Sequence, residues 1–160
     1  MISQKVNKNR GFKAKTMTLL MVLALAGFGL SNSAWAGDKG PCPQPRKTKS
    51  APANLVKASI PANASVEAGK KIFEKSAKPM ACKMCHGSKG NGAGKLGKAL
   101  KPRPRNFTCS DTMKHVSPGQ MFWIIKNGSK GTGMVAHGKA LNDKQIWDVV
   151  KYIETQFVKR

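Results

Sequence analysis

The chain of 160 residues predicts an all-α fold of three to four helices. Three observations carry that prediction. Ser117-Pro118-Gly119-Gln120 and Asn142-Asp143-Lys144-Gln145 each read as a capped helix start. The segments that follow them, and the one after Ser65, repeat apolar residues at intervals of three and four. No stretch alternates apolar and polar residues well enough for a strand, and there is no internal repeat.

The first 36 residues carry Lys5, Lys8, Arg10, Lys13 and Lys15 and no acidic residue, followed by an apolar run from Met17 to Leu30. That run is short for a membrane span. Ala34-Trp35-Ala36 has the small-residue pattern of a cleavage site, so 1–36 reads as a secretory signal cut after Ala36. An uncleaved anchor is the rival reading. Export places the remainder in an oxidising compartment, the periplasm of a Gram-negative cell. The expected mature chain begins at Gly37 and has a length suited to one domain.

Residues 37–63 are rich in Pro, Lys and small side chains and read as an extended arm; 64–160 form the folded domain. A first helix is expected from about Ser65, with Val66, Gly69, Ile72 and Phe73 on its inner face. Gly69 inside that helix implies the close approach of another element. Residues 87–97 hold five glycines and form a turned loop. They lack the Gly-Lys-Ser/Thr of a phosphate-binding loop, and no strand precedes them. Pro102 and Pro104 keep the stretch from Leu100 to Phe107 out of a helix interior. Ser117 caps the next helix, Pro118 takes its first position and Gln120 is expected to complete the box; Asn127-Gly128 ends it. In the last helix Ile146, Val149, Val150, Ile153 and Phe157 make one apolar stripe.

Chemistry concentrates at Cys82-Lys83-Met84-Cys85-His86. In a C-x-x-C-H run two sulfurs about one helical turn apart can add across two vinyl groups of one porphyrin edge, and the adjacent His reaches the iron. A redox C-x-x-C pair would not need the adjacent His, and no βαβ pattern surrounds it. A zinc site would need further ligands at close spacing, and the chain has no second such Cys pair. The expected cofactor is therefore one covalent haem c.

With Gly69-Lys70-Lys71-Ile72-Phe73 before this motif, Met134 after it and Ile146-Trp147-Asp148-Val149-Val150-Lys151-Tyr152-Ile153 at the end, the sequence from about Ser65 to Phe157 resembles the small monohaem cytochromes c with His/Met ligation. The resemblance implies helices wrapped around one covalently bound haem, with His86 as proximal and Met134 as distal ligand of the iron. Gly131-Thr132-Gly133-Met134 matches the family's ligand loop, although Val135 stands where Pro is usual. His137 and His115 are the competing distal ligands. The resemblance also implies that a proline carbonyl, from Pro102 or Pro104, accepts the other ring N–H of His86, and that Gly69, Phe73 and Tyr152 join the first and last helices. Phe122, Trp123, Ile124 and Ile125 are expected to line the haem pocket, and Asn127 either lies near the Met134 sulfur or only ends its helix. Met113 and Met121 read as core or surface residues.

Cys42 and Cys109 fit no ligand position, and leftover thiols in an exported chain usually pair, so a disulfide between them is expected. Two separate thiols, or a lipid or intermolecular link at Cys42, are the alternatives. The expected mature chain has 24 basic and 7 acidic residues, a formal net charge of +17. Such a field around an exposed haem edge would steer an acidic redox protein toward it. Lys83, Lys89, Lys95, Lys130 and Lys139 lie in the segments expected to border that edge. Nucleic acid is excluded as a partner by export and haem together; an anionic membrane surface is the stronger rival. The function expected is a monomeric, non-enzymatic periplasmic carrier of single electrons between respiratory or dehydrogenase partners, a membrane-bound oxidase among them. The alternatives are a haem subunit of a larger oxidoreductase complex, or a haem enzyme or gas sensor with a displaceable sixth ligand.

Overall fold

Helix formation is best anchored at the C-terminal end of the chain. Asn142 accepts a hydrogen bond from the backbone N–H of Gln145, and the Gln145 side chain accepts one from the backbone N–H of Asn142, both at 2.9 Å. This closed capping box starts the longest helix in a computed structural model that describes residues 39–159. The secretory signal expected over 1–36 lies outside the described residues. Among the described residues there are six α-helices in chain order: α1 (Ala53–Val56), α2 (Val66–Lys71), α3 (Lys83–His86), α4 (Ser110–Met113), α5 (Pro118–Asn127) and α6 (Asp143–Gln156). Among the described residues there is no strand, so the fold is all-α. The helix number exceeds the sequence expectation because α1, α3 and α4 are single turns, too short to show a period.

The core forms where α2 crosses α6. Ser65 caps α2, accepting from the backbone N–H of Ala68, and the helix continues as a π turn over Ile72–Ser76. A Cβ on Gly69 would run into the backbone carbonyl of Asp148, so only glycine permits this approach. Phe73 is fully buried, with its ring centroid 5.4 Å from Tyr152 and 5.5 Å from Phe157. From α6, Ile146, Val149, Val150 and Ile153 complete the buried face. Asp148, though buried, accepts from the Ser65 backbone N–H at 2.7 Å and from Lys144 Nζ at 3.0 Å. A buried carboxylate paired in this way ties the start of α2 to α6 without leaving an unmet charge.

At α5, Ser117 caps as expected, accepting from the Gln120 backbone N–H at 3.1 Å, with Pro118 at the first position. Gln120 does not complete the box. Its Oε1 accepts from the Ala51 backbone N–H at 2.7 Å and its Nε2 donates to the Lys49 carbonyl at 2.9 Å. The side chain is thus spent on holding the N-terminal arm. That arm is not wholly extended, because α1 interrupts it and packs on α5. Along the extended part, Gln44, Arg46 and Thr48 are half-buried whereas Pro45, Lys47 and Lys49 are exposed, the period of two that an extended chain has on a surface. A disulfide joins Cys42 to Cys109 with the Cα atoms 5.5 Å apart, as expected. The Gly40 backbone N–H donates to the Asn91 carbonyl at 2.6 Å, and Asn106 Nδ2 donates to the Gly40 carbonyl at 3.2 Å.

Candidate functional site

Cys82 sits at the N-cap of α3, and its carbonyl accepts from the backbone N–H of His86 at 2.9 Å. One helical turn therefore carries both thiols and the imidazole. The turn stops at Gly87, whose φ of 79° is a left-handed value that suits glycine. The 3₁₀ turn Gly97–Ala99 packs back on it, with no room for a Cβ on Gly97 beneath the Cys85 carbonyl. Neither Cys82 nor Cys85 is in a disulfide. Burial, with a smaller contribution from Cys85 and against a backbone hydrogen bond, pushes the Cys82 thiol up to about 12. Burial also raises the Cys85 thiol. Thiols held protonated are poor at disulfide exchange, which argues against a redox pair.

His86 is buried and stacks on Phe107 at 4.6 Å between centroids, with 14° between planes. Its Nδ1 lies 3.1 Å from the Arg105 carbonyl. A carbonyl only accepts, so Nδ1 carries the proton and Nε2 keeps its lone pair for a metal. Burial foremost, then the charges of Arg105 and His137, lower its pKa to about 4 against the raising effect of that hydrogen bond, so the ring is neutral at neutral pH. The acceptor is thus Arg105 and neither Pro102 nor Pro104. Both prolines line the cavity.

A single mostly apolar cavity gathers Cys82, Cys85 and His86 with Met134, Leu100, Pro102, Pro104, Phe107 and Ile125. Met134 is presented by a self-bonded turn. Its backbone N–H donates to Thr132 Oγ1 at 3.0 Å, that hydroxyl donates to the Ser129 carbonyl at 2.7 Å, and the Ser129 N–H returns a 3.0 Å bond to the Met134 carbonyl. His137 lines the same cavity, 4% exposed, with Nδ1 2.8 Å from the Lys78 carbonyl. Its Nε2 is therefore available for the same reason as that of His86. His115 is not part of the cavity lining.

Helix α5 turns Met121, Ile124 and Ile125 to the cavity, but not Phe122 or Trp123. Phe122 instead stacks on Trp147 of α6 at 4.6 Å. The two residues belong to other faces of a helix that is covered on more than one side. Asn127 Nδ2 donates to the Trp123 carbonyl at 2.9 Å, which accounts for it as a helix end. Met113 and Met121 are cavity residues as well as core. The sequence reading missed Gln44, Arg46, Thr48, Arg103 and Arg105, all on the cavity wall. Three buried side-chain atoms on that wall, Arg103 Nε, Arg103 Nη2 and Gln44 Oε1, have no hydrogen-bond partner in the protein.

A haem fits this set of residues. A flat apolar macrocycle suits the apolar walls, two thiols and a neutral imidazole meet it on one helical turn, and its carboxylates suit the unpartnered Arg103 donors. Among the described residues no group of three or more His, Cys, Asp or Glu side chains could hold a bare metal ion.

The model of the Cytochrome c family matches residues 66–157. Among solved structures, a chain of the reducing HAO-like protein complex of Kuenenia stuttgartiensis is similar in fold, at 24% identity and a TM-score of 0.54, over 71% of this chain and 52% of that one. This chain thus matches about half the length of that one. No curated protein matches significantly.

Proposed function

This chain belongs to the cytochrome c family, and from that premise we propose that it is a monomeric periplasmic carrier of single electrons with one haem c. Membership implies covalently bound haem and electron transfer. The observation that carries the residue assignments is the convergence of Cys82, Cys85, His86 and Met134 on one apolar cavity. When bound, the haem supplies reversible one-electron chemistry at its iron. In this reading Cys82 and Cys85 hold the macrocycle through thioethers. His86 would bind the iron, its plane set by Phe107 and its basicity supported by the Arg105 carbonyl. Met134 would supply a further ligand to the iron, where a neutral thioether would favour the ferrous state. Leu100, Met113, Met121 and Ile125 exclude water. The basic surface would attract an acidic redox partner, a membrane-bound oxidase or dehydrogenase among the candidates.

The test has two steps. Intact mass and absorption spectra of protein exported by a haem-attaching host should show one covalent haem in a low-spin six-coordinate state. Met134→Ala should keep the haem, lose that coordination and bind carbon monoxide when reduced. A Met134→Ala protein with unchanged spectrum and potential would sink the assignment and move it to His137. That second reading is favoured by one observation, the buried His137 ring with its Nδ1 already engaged. A fixed subunit of an oxidoreductase complex uses the same residues; native size of the protein in periplasmic extract separates it from a free carrier.

A further inference from the structure

The described residues contain three arginines, Arg46, Arg103 and Arg105, and all three line the haem cavity. Among the described residues no lysine lines it, although lysines are far more numerous. Composition alone would scatter arginines among the lysines. Their segregation matters because the guanidinium fork matches a carboxylate in two-point contact, and a lysine does not. None of the three forms an ion pair with an Asp or Glu among the described residues. Arg103 keeps two buried nitrogens without partners. Three like charges line a mostly apolar cavity, and a buried donor left unmet is costly. Such a wall is completed by an anion.

Arg46 comes from the arm, outside the stretch that matches the family model. Its Nη1 donates to Ser129 Oγ at 3.3 Å and its Nη2 to the Lys130 carbonyl at 3.0 Å, at the root of the turn that presents Met134. Two residues earlier, the Gln44 N–H donates to Thr112 Oγ1 at 2.8 Å and Gln44 Nε2 to the Arg103 carbonyl at 2.9 Å. The disulfide at Cys42 and the Gln120 clasp at Lys49 and Ala51 fix the two ends. Resting on the haem reading above, we propose that residues 40–51 form a disulfide-tethered strap across the haem pocket, whose Arg46 joins Arg103 and Arg105 in binding the haem propionates while holding the Met134 turn in place.

The experiment compares reduction potentials of holoproteins. Arg46→Gln and Arg103→Gln should lower the midpoint potential, because an uncompensated propionate charge near the iron favours the ferric state. Lys47→Gln removes the same charge from an exposed neighbouring position and should leave the potential close to that of the parent, through solvent screening. Arg46→Lys keeps the charge without the fork and should fall between. Cys42→Ser/Cys109→Ser frees the strap and should lower the potential as Arg46→Gln does; adding Arg46→Gln to it should give no further fall, since contacting groups are not additive. Equal potentials for Arg46→Gln, Arg103→Gln and Lys47→Gln would overturn the proposal, as would full additivity of the disulfide and Arg46 variants. If Arg103→Gln does not accumulate, Arg46→Gln and the disulfide variant decide alone. Covalent haem in the parent protein is checked first: its absence would refute the proposed function, whereas its presence with unmoved potentials refutes only the strap.

Discussion

Replacing Cys42 and Cys109 by Ser should cost stability and release the strap together. The bridge spans a sequence separation of 67 residues. In the chain-entropy account a loop of that size restricts the unfolded state by about 4 kcal/mol at 25 °C, an upper figure because native strain and residual structure reduce it. Whether the strap stays docked without the bridge follows from its contacts. Among the described residues eight hydrogen bonds hold residues 40–51: two at Gly40, two from Gln44, two from Arg46 and two with Gln120. At about 1 kcal/mol net each they contribute roughly 8 kcal/mol. Ordering the backbone of this segment costs about 1–2 kcal/mol per residue, more than 10 kcal/mol in all. The hydrogen bonds alone do not win, so the bridge decides the docked state. The assays are denaturant unfolding and limited trypsin digestion at Lys47 and Lys49. A midpoint lowered by about 2–4 kcal/mol equivalents, with rapid cleavage at those lysines, is the expected pair of results. A variant within about 0.5 kcal/mol of the parent and equally resistant to trypsin would refute the reasoning.

Gly69→Ala should destabilise the fold by about 1–3 kcal/mol, because its methyl must displace the Asp148 carbonyl, and a thermal melt indistinguishable from the parent would contradict the close approach of α2 and α6. Asn142→Ala removes the cap of α6 and should cost about 1 kcal/mol in the same assay. Charge reversal at Lys130 or Lys139 should slow oxidation by an acidic acceptor in stopped flow while leaving the potential nearly fixed, and the parent rate should fall as salt rises, with screening over about 8 Å at physiological ionic strength. A rate that is flat or rises with salt would assign the excess charge to another role, such as membrane attachment.

What the sequence made legible was local. The two sulfurs and the imidazole of Cys82 to His86 are fixed by one helical turn, and the Asn142 box by three residues of spacing. The apolar stripe of α6 repeats often enough to define a face, and Gly69 signals its neighbour because nothing larger fits there. What was hidden depended on distant partners. Ser117 and Gln120 have the spacing of a box, but the arm supplies Gln120 with a better pair of backbone groups. Among Pro102, Pro104 and Arg105, the path of an irregular loop decides which carbonyl faces His86, and periodicity says nothing about such a path. Phe122 and Trp123 were misplaced because α5 is covered on several sides, so apolarity did not single out the cavity face. The arginine wall was lost by counting Lys and Arg as one charge; their different geometries were the available signal.

The strap gives assembly an order. Gln44, Arg46 and Thr48 line the cavity, so a strap formed by them would close that side after a rigid macrocycle has entered. The chain has four cysteines, which can pair in more than one way. Early capture of Cys82 and Cys85 as thioethers leaves Cys42 only Cys109 as a partner within the chain. Cofactor attachment then edits the oxidation that follows it. Chains produced without haem attachment should accumulate Cys42 or Cys109 joined to Cys82 or Cys85, read out by mass spectrometry of a non-reduced digest, and uniform Cys42–Cys109 pairing in such chains would show that the arm needs no such guidance.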